Sequence, residues 1–326
     1  MPLLKSDFKA AHVFRNKHVN TVFRTLFTKP TVSYTRTRIT TSDQDFIDLD
    51  FSTVNASRLA ILIHGLEGSS NSKYVLSTTK HLNEHHFDVV VFNLRGCSGE
   101  LNKKFKAYHS GETGDLDFVI THLSKNYHYT ELNLIGFSLG GNMTLKYLGE
   151  KGTQYPSLLK KAVAVSAPID LKGSSVELSK KSNRIYMKRF LNTLVEKALQ
   201  KDALFPNTIE NMDKIRAAKN FYDFDHHFTA PSFGFKSAED YWAKASANKD
   251  LKNIALPTYF ITAKDDPFLS ASCFPIATAK SHKHLFLELT NTGGHIGFIE
   301  NFRKRDWLEK KITNFVSKSA CEPLKP

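Results

Sequence analysis

Cysteine is scarce in this chain of 326 residues: Cys97, Cys273 and Cys321 are the whole complement. Three widely spaced cysteines give neither a disulfide framework nor a metal-ligand spacing, and they point to a reducing compartment. Long apolar runs are missing too. No stretch approaches the roughly 18 apolar residues that span a bilayer, and Met1 to Asp7 contains no apolar h-region. A cytoplasmic setting is therefore expected. No internal repeat or low-complexity segment is present, which excludes solenoid and fibrous architectures. Acidic residues are outnumbered, 32 against 45 Lys and Arg, for a net charge of +13. The imbalance is local. Residues 1–38 hold eight Lys and Arg against Asp7 alone, residues 171–250 fourteen against ten, and residues 301–326 seven against three. A basic periphery suits weak contact with anionic membrane surfaces or acidic substrates, although a solvated lysine-rich surface is the plainer reading. Nucleic acid is not an expected partner, because no recognised binding module accompanies the charge.

What is present is apolar content of 41%, enough to bury the core of one large α/β domain or of a domain with an insertion. Leu59 to Ile63 is a continuous apolar run of the kind buried on both sheet faces, and it delivers His64-Gly65-Leu66-Glu67-Gly68. From there strand and helix patterns alternate. Helix is expected over Tyr74–His86, Asp115–Leu123 and Ser138–Leu148, and strand over Val89–Leu94, Leu132–Phe137 and Ala162–Ser166. This alternation implies right-handed crossovers and a mostly parallel central sheet flanked by helices. An edge hairpin precedes it, over Val32–Thr40 and Asp45–Phe51.

From Leu171 to about Asp250 strand patterns stop. Met187, Leu191, Leu194 and Ala198 have amphipathic helical spacing, and eight aromatics stand between Phe221 and Trp242. An inserted helical cap is expected over 171–250, with most of those aromatics forming its own core. Strands resume at Pro257–Thr262 and Leu285–Leu289, followed by a last helix over about Asn301–Val316. The expected divisions are an N-terminal arm (1–30) packed on the body, a core (31–170 and 251–318), the cap (171–250) and a tail (319–326).

The chemistry centres on Gly136-Phe137-Ser138-Leu139-Gly140, which lies between an apolar run and a helical one. That context distinguishes a nucleophile elbow from a Gly-rich turn with an incidental serine. A serine hydroxyl needs a base to take its proton and a carboxylate to hold the base. In sheets of this type both follow the serine, on turns after later strands. The strand ending at Thr262 runs into Asp265-Asp266-Pro267, and the one ending at Leu289 runs into Gly293-Gly294-His295-Ile296-Gly297. Candidates are Ser138 as nucleophile, His295 as base and Asp266 as its orienting acid, with Asp265 as the rival. Asp266 lies deeper in the turn, with Pro267 fixing the chain after it. Oxyanion donors are expected from the backbone N–H groups of Leu139 and Leu66. His64 reads as a structural hydrogen-bonding residue, and Glu67 as a loop residue near enough to touch substrate. No cofactor or metal is implied.

The chain resembles the YheT-like α/β-hydrolases, relatives of the ABHD-type esterases and lipases. The resemblance rests on His64–Tyr74, Asn93–Glu100 with Arg95-Gly96-Cys97-Ser98-Gly99, Tyr108–Thr113, Gly136–Asn142, Val165–Leu171, Asp265–Phe268 and Gly293–Phe298. Asn16–Thr21 also matches, with Asn20 where glutamine is usual, so the likeness covers about residues 16–318. It implies an α/β-hydrolase fold and a triad of Ser138, Asp266 and His295 acting on carboxylic esters, from short- or medium-chain acyl esters to lipid-like ones. Acyl transfer to an alcohol is the alternative. The His-x4-Asp motif of transferase relatives is absent, since no histidine here has aspartate five residues on. A non-catalytic binding module is a third reading, and it would have no need of all three triad positions. The Arg95 and Tyr108–Glu112 blocks read as loop architecture, with Asp115 and Asp117 favouring a helix start.

Overall fold

The computed structural model describes residues 3–318; the tail at 319–326, with Cys321, lies outside them. The strands are β1 (Leu3–Leu4), β2 (Thr35–Thr40), β3 (Phe46–Ser52), β4 (Arg58–Ile63), β5 (Asp88–Asn93), β6 (Glu131–Phe137), β7 (Leu159–Val165), β8 (Thr258–Ala263) and β9 (Leu285–Thr290). They form one sheet in the order β1-β9-β8-β7-β6-β4-β5-β3-β2. Pairing is antiparallel for β2 with β3 and β3 with β5, and parallel elsewhere. The fold is therefore that of an α/β hydrolase, with the hairpin at one edge.

The helices are α1 (Lys17–Phe27), α2 (Lys73–Glu84), α3 (Gly114–Asn126), α4 (Leu139–Lys151), α5 (Leu171–Leu178), α6 (Arg184–Leu204), α7 (Met212–Arg216), α8 (Phe221–Phe224), α9 (Ala230–Ser232), α10 (Ala238–Ala245), α11 (Ile276–Ser281) and α12 (Trp307–Ser317). One sheet face carries Ile61, Leu134 and Phe260 under Leu116 and Ile120 of α3 and Met143 of α4. The other carries Leu62, Val91 and Phe137 under Val75 of α2 and Ile312 of α12. Burial of the central strands on both faces is why they read as continuous apolar runs rather than alternating ones.

Helices α5 to α10 all lie between β7 and β8, joined by a π turn at Asp225–Thr229. Met187, Leu191, Ile215, Phe224 and Phe228 cluster there, with Phe268 of the β8–β9 connection against them. Of the eight aromatics in this stretch, Phe224, Phe228, Tyr241 and Trp242 are buried. The last helix begins later than the sequence pattern predicts, at Trp307 rather than near Asn301. Asn301 Oδ1 accepts from the N–H groups of Arg303 and Lys304 at 2.9 and 3.0 Å, so the side chain holds a local turn in place of a first helical turn.

At the N-terminus, β1 pairs with β9, and Phe23 of α1 packs with Phe14 and Ile299. Asn20, fully buried, accepts from Ile299 N–H at 3.0 Å and donates to Ile299 O at 3.1 Å. Arg24 pairs with Glu309 of α12 in a buried contact.

Candidate active site

Strands β4, β6, β8 and β9 end on the same side of the sheet, and each hands one turn to the site. Ser138 heads α4 at φ +51°, ψ −117°, a sparsely populated region for a side chain-bearing residue. The turn closes because its flanks are glycine. A Cβ on Gly140 would stand 2.6 Å from His64 O, and one on Gly136 would meet Gly140 O and Thr144 Oγ1.

His295 Nε2 lies 2.9 Å from Ser138 Oγ, and its Nδ1 lies 2.8 and 3.1 Å from the two carboxylate oxygens of Asp266. With the ring proton on Nδ1 donated to the carboxylate, the Nε2 lone pair faces the serine O–H. Asp266 is buried and accepts a further bond from Phe268 N–H at 2.8 Å, while the Phe268 ring lies 4.2 Å from the imidazole. The two candidate carboxylates have different partners. Asp265 Oδ1 accepts from Gly294 N–H at 3.0 Å, so it holds the histidine loop rather than the histidine ring.

Sequence reasoning missed two supports of that loop. Thr21 of α1 accepts from His295 N–H at 2.9 Å, and Ser166, at φ +49° after β7, accepts from Ile296 N–H at 3.2 Å. The only signal for either was membership in a family block, Asn16–Thr21 or Val165–Leu171.

His64 is fully buried and structural. Its Nε2 accepts from Leu94 N–H at 3.1 Å, which leaves Nδ1 protonated and donating to Gly65 O at 2.8 Å. Burial lowers its pKa to about 4, so the ring is neutral, as both bonds require. Beyond it the turn is strapped down. Glu67 sits at φ +54° and its N–H donates to the Tyr108 hydroxyl at 2.9 Å, while that hydroxyl donates back to Glu67 Oε1 at 2.6 Å. Lys197 of α6 reaches Glu67 Oε2 at 2.8 Å and Cys97 Sγ at 3.3 Å. Burial pushes the Cys97 thiol up to about 12. The Glu67 N–H is thus occupied by tyrosine, and the neighbouring Leu66 lines the space beside Ser138.

The Arg95 and Tyr108–Glu112 blocks are more than loop architecture. Arg95 bonds Asp43, Asp45 and Asp115, so Asp115 serves a buried cation as well as the start of α3. Tyr241 of α10 accepts from Ser110 N–H at 3.0 Å, and Asn142 of α4 donates to Ser110 O and Ala245 O.

Ser138, His295, Leu66 and Glu67 line two adjoining chambers. The first, about 1230 Å³ of empty space, runs under α5 to α10 and is walled by Phe190, Leu194, Phe224, Phe228, Trp242 and Phe268. Its one isolated carboxyl is Asp225, which burial raises to about 6 and which accepts from Trp242 Nε1–H at 2.8 Å. The second, about 1540 Å³, is more polar and lies between α1, the Leu66 turn and α6, with Thr21, Asn71, Lys73, Tyr186 and Arg189 on its walls. Among the described residues no group of three or more His, Cys, Asp or Glu is arranged to hold a metal, and no helix is long and apolar enough to cross a membrane.

Residues 60–302 match the family described as the alpha/beta hydrolase fold. The chain belongs to the α/β hydrolases. Within that family it is 34% identical to the YheT protein of Escherichia coli K12 over 96% of this chain and 93% of that one, which puts it among the YheT-like hydrolases. It is 32% identical to human phospholipase ABHD3, over 88% of this chain and 73% of that one. The esterase Pf2001 of Pyrococcus furiosus has the same fold, with a TM-score of 0.59 at 15% identity over 89% and 93% of the two chains.

Proposed function

We propose that this hydrolase is a serine esterase that cleaves carboxylic esters through an acyl-enzyme. The observation that carries the reading is the continuous relay from Asp266 through His295 to Ser138, at 2.8 and 2.9 Å. His295 takes the proton of Ser138 as Oγ attacks the ester carbonyl. Asp266 holds the ring tautomer and stabilises the imidazolium, and the same proton then goes to the leaving alkoxide. Leu139 N–H and Leu66 N–H receive the oxyanion. Water, activated by His295, releases the acid and regenerates the serine.

The helices between β7 and β8 act as a cap over the first chamber, whose apolar walls suit an acyl chain. The second chamber takes the alcohol side. Burying a chain among such walls is worth about 0.8 kcal/mol per methylene. A series of p-nitrophenyl esters should therefore show kcat/KM rising up to about fourfold per added carbon until the chamber is full. A flat profile from acetate to decanoate would overturn the acyl-chamber assignment, and no turnover of any ester would overturn the esterase. The second chamber also favours an alternative use of the same acyl-enzyme, transfer to an alcohol. In that case added alcohol would divert product from acid to ester.

Tyr108 offers a test of the oxyanion turn. Tyr108→Phe removes both bonds from the tyrosine to Glu67, leaving the Lys197 contact and the Ser138 relay in place. Turnover should fall about tenfold with little change in KM, since the turn serves a charge that develops only in the transition state. Steady-state kinetics on one ester decide it, and an unchanged kcat would sink the idea.

A further inference from the structure

Near the second chamber the surface carries apolar side chains that nothing among the described residues covers. Leu26 and Phe27, at the end of α1, are 63% and 62% exposed, Phe302 is 59% exposed and Val13 52%. Phe27 and Phe302 belong to one patch. The buried Phe23 ring lies 5.0 Å from Phe27 and 5.8 Å from Phe302, and Phe302 also meets the buried Phe14 ring at 5.0 Å. Leu26 is part of the chamber wall, so the patch continues into the space that ends at Ser138.

Cations outnumber acids around this patch, where Glu300, bonded through its backbone to Lys304 and Ala11, is the acid beside the turn. Arg305 stacks over Phe23 at 5.1 Å and donates to Phe302 O at 2.6 Å. Arg303 and Lys304 follow Phe302 in the same turn, Lys29 follows Phe27 and Arg15 follows Phe14. None of these five cations has a carboxylate within ion-pair distance among the described residues. Residues 11–30 contain no acid at all, and the acids that follow Arg305 are engaged, Asp306 with Lys310 and Glu309 with Arg24. Across the chamber, Ile185 of α6 is 79% exposed between Arg184 and Lys188, beside Tyr186, whose hydroxyl lies 3.2 Å from His18 Nδ1 of α1.

We infer that this face is a docking surface for an anionic lipid bilayer. Exposed aromatic and aliphatic tips set among unpaired arginines and lysines are complementary to such a surface, where the cations meet headgroup phosphates and the tips enter the acyl boundary. An acidic protein would satisfy the charges but has no need of the apolar tips, and nucleic acid would leave them in water. Docking in this orientation turns the mouth of the second chamber to the lipid, so an ester held in the membrane reaches Ser138 without crossing bulk water. The basic N-terminal segment, readable from composition as a plain solvated surface, acquires this reading from where it is folded: α1 and the Asn301–Asp306 turn lie together, sharing the Phe23 ring.

The test is co-sedimentation of the full chain with phosphatidylcholine vesicles, with and without an equal part of phosphatidylglycerol. Binding is expected to the anionic vesicles at low salt, falling steeply as salt is raised. The double variant Phe27→Ser, Phe302→Ser should weaken it at least tenfold, and Arg303→Gln with Lys304→Gln by roughly 25-fold, about fivefold for each charge removed. Both variants should keep the wild-type rate on a water-soluble ester, which establishes that they fold. Ser138→Ala should bind vesicles as wild type does, so the docking surface stands or falls apart from the esterase. Absence of binding to anionic vesicles would overturn the inference. So would binding that the phenylalanine variant leaves intact, or a wild-type dimer that the phenylalanine variant dissolves.

Discussion

Ser138→Ala is expected to lower ester hydrolysis by roughly 10⁴- to 10⁶-fold, leaving a residual rate above that of water. The residue contributes only a hydroxyl, so the fold should be untouched and thermal stability should stay within about 1 kcal/mol of wild type. A fluorophosphonate should label wild type stoichiometrically at one residue and leave Ser138→Ala unlabelled, which separates loss of the nucleophile from loss of the site. His295→Ala should cost about as much as the serine variant, because the two act as one unit, and the double variant should be hardly worse than either. Asp266→Asn should cost less, about 10⁴-fold, through the wrong imidazole tautomer. Asp265→Asn is the contrasting control. Its Oδ1 holds the Gly294 N–H and does not face the ring, so an amide oxygen can keep that bond, and a fall of about tenfold or less is expected. If the two aspartates were equally sensitive, the assignment of Asp266 as the orienting acid would be wrong. Equal labelling of wild type and Ser138→Ala would remove Ser138 from the reaction.

Much of this arrangement was legible in the chain, for physical reasons that differ from element to element. The parallel strands were readable because burial on both faces forces continuous apolar runs, and the elbow because a tight strand-to-helix turn admits only glycine at its flanks. The order of serine, aspartate and histidine came from the known pattern of hydrolase sheets, and only the shared end of the sheet follows from parallel strands. What could not be read are contacts between residues far apart in sequence. Thr21 reaches His295 across 274 positions, and nothing local to either marks the bond. Nothing local to Lys197 sets it apart from the other charges of its helix, and only folding brings it to Glu67. Choosing between Asp265 and Asp266 by their depth in the turn matched the ring contacts, yet the sequence held no hint that the rival would hold the histidine loop. The start of α12 was misplaced because a single asparagine side chain, at Asn301, outcompetes a helical pattern.

Arg95 was the least legible residue of all, and its replacement carries the largest expected cost in stability. Its guanidinium is almost wholly buried and bonds three carboxylates, with Nε 2.7 Å from Asp115 and Nη1 2.9 and 3.0 Å from Asp43 and Asp45. The Asp45 side chain is fully buried and accepts from Asn102 and from the N–H groups of Lys103 and Lys104, so the cluster ties the edge hairpin to the loop before α3. Arg95→Met keeps the apolar stem and deletes the charge, leaving buried carboxylates without their cation. Breaking one side of a buried ion pair costs about 3–5 kcal/mol, which at this chain length is a fall in melting temperature of roughly 4–7 °C. The acid response should change in a defined direction. Partial burial of Asp43 opposes its ionisation, but the Arg95 guanidinium overrides this and holds its pKa down to about 2. A depressed carboxyl adds stability above its unfolded pKa of 3.8, and that contribution is lost as pH falls through about 2. The gap in stability between wild type and Arg95→Met should therefore be widest above pH 4 and narrow between pH 4 and 2. Denaturant midpoints measured across that range decide the matter. A gap that is small, or that does not narrow in acid, would mean that the three carboxylates are stabilised by their hydrogen-bond donors rather than by the arginine.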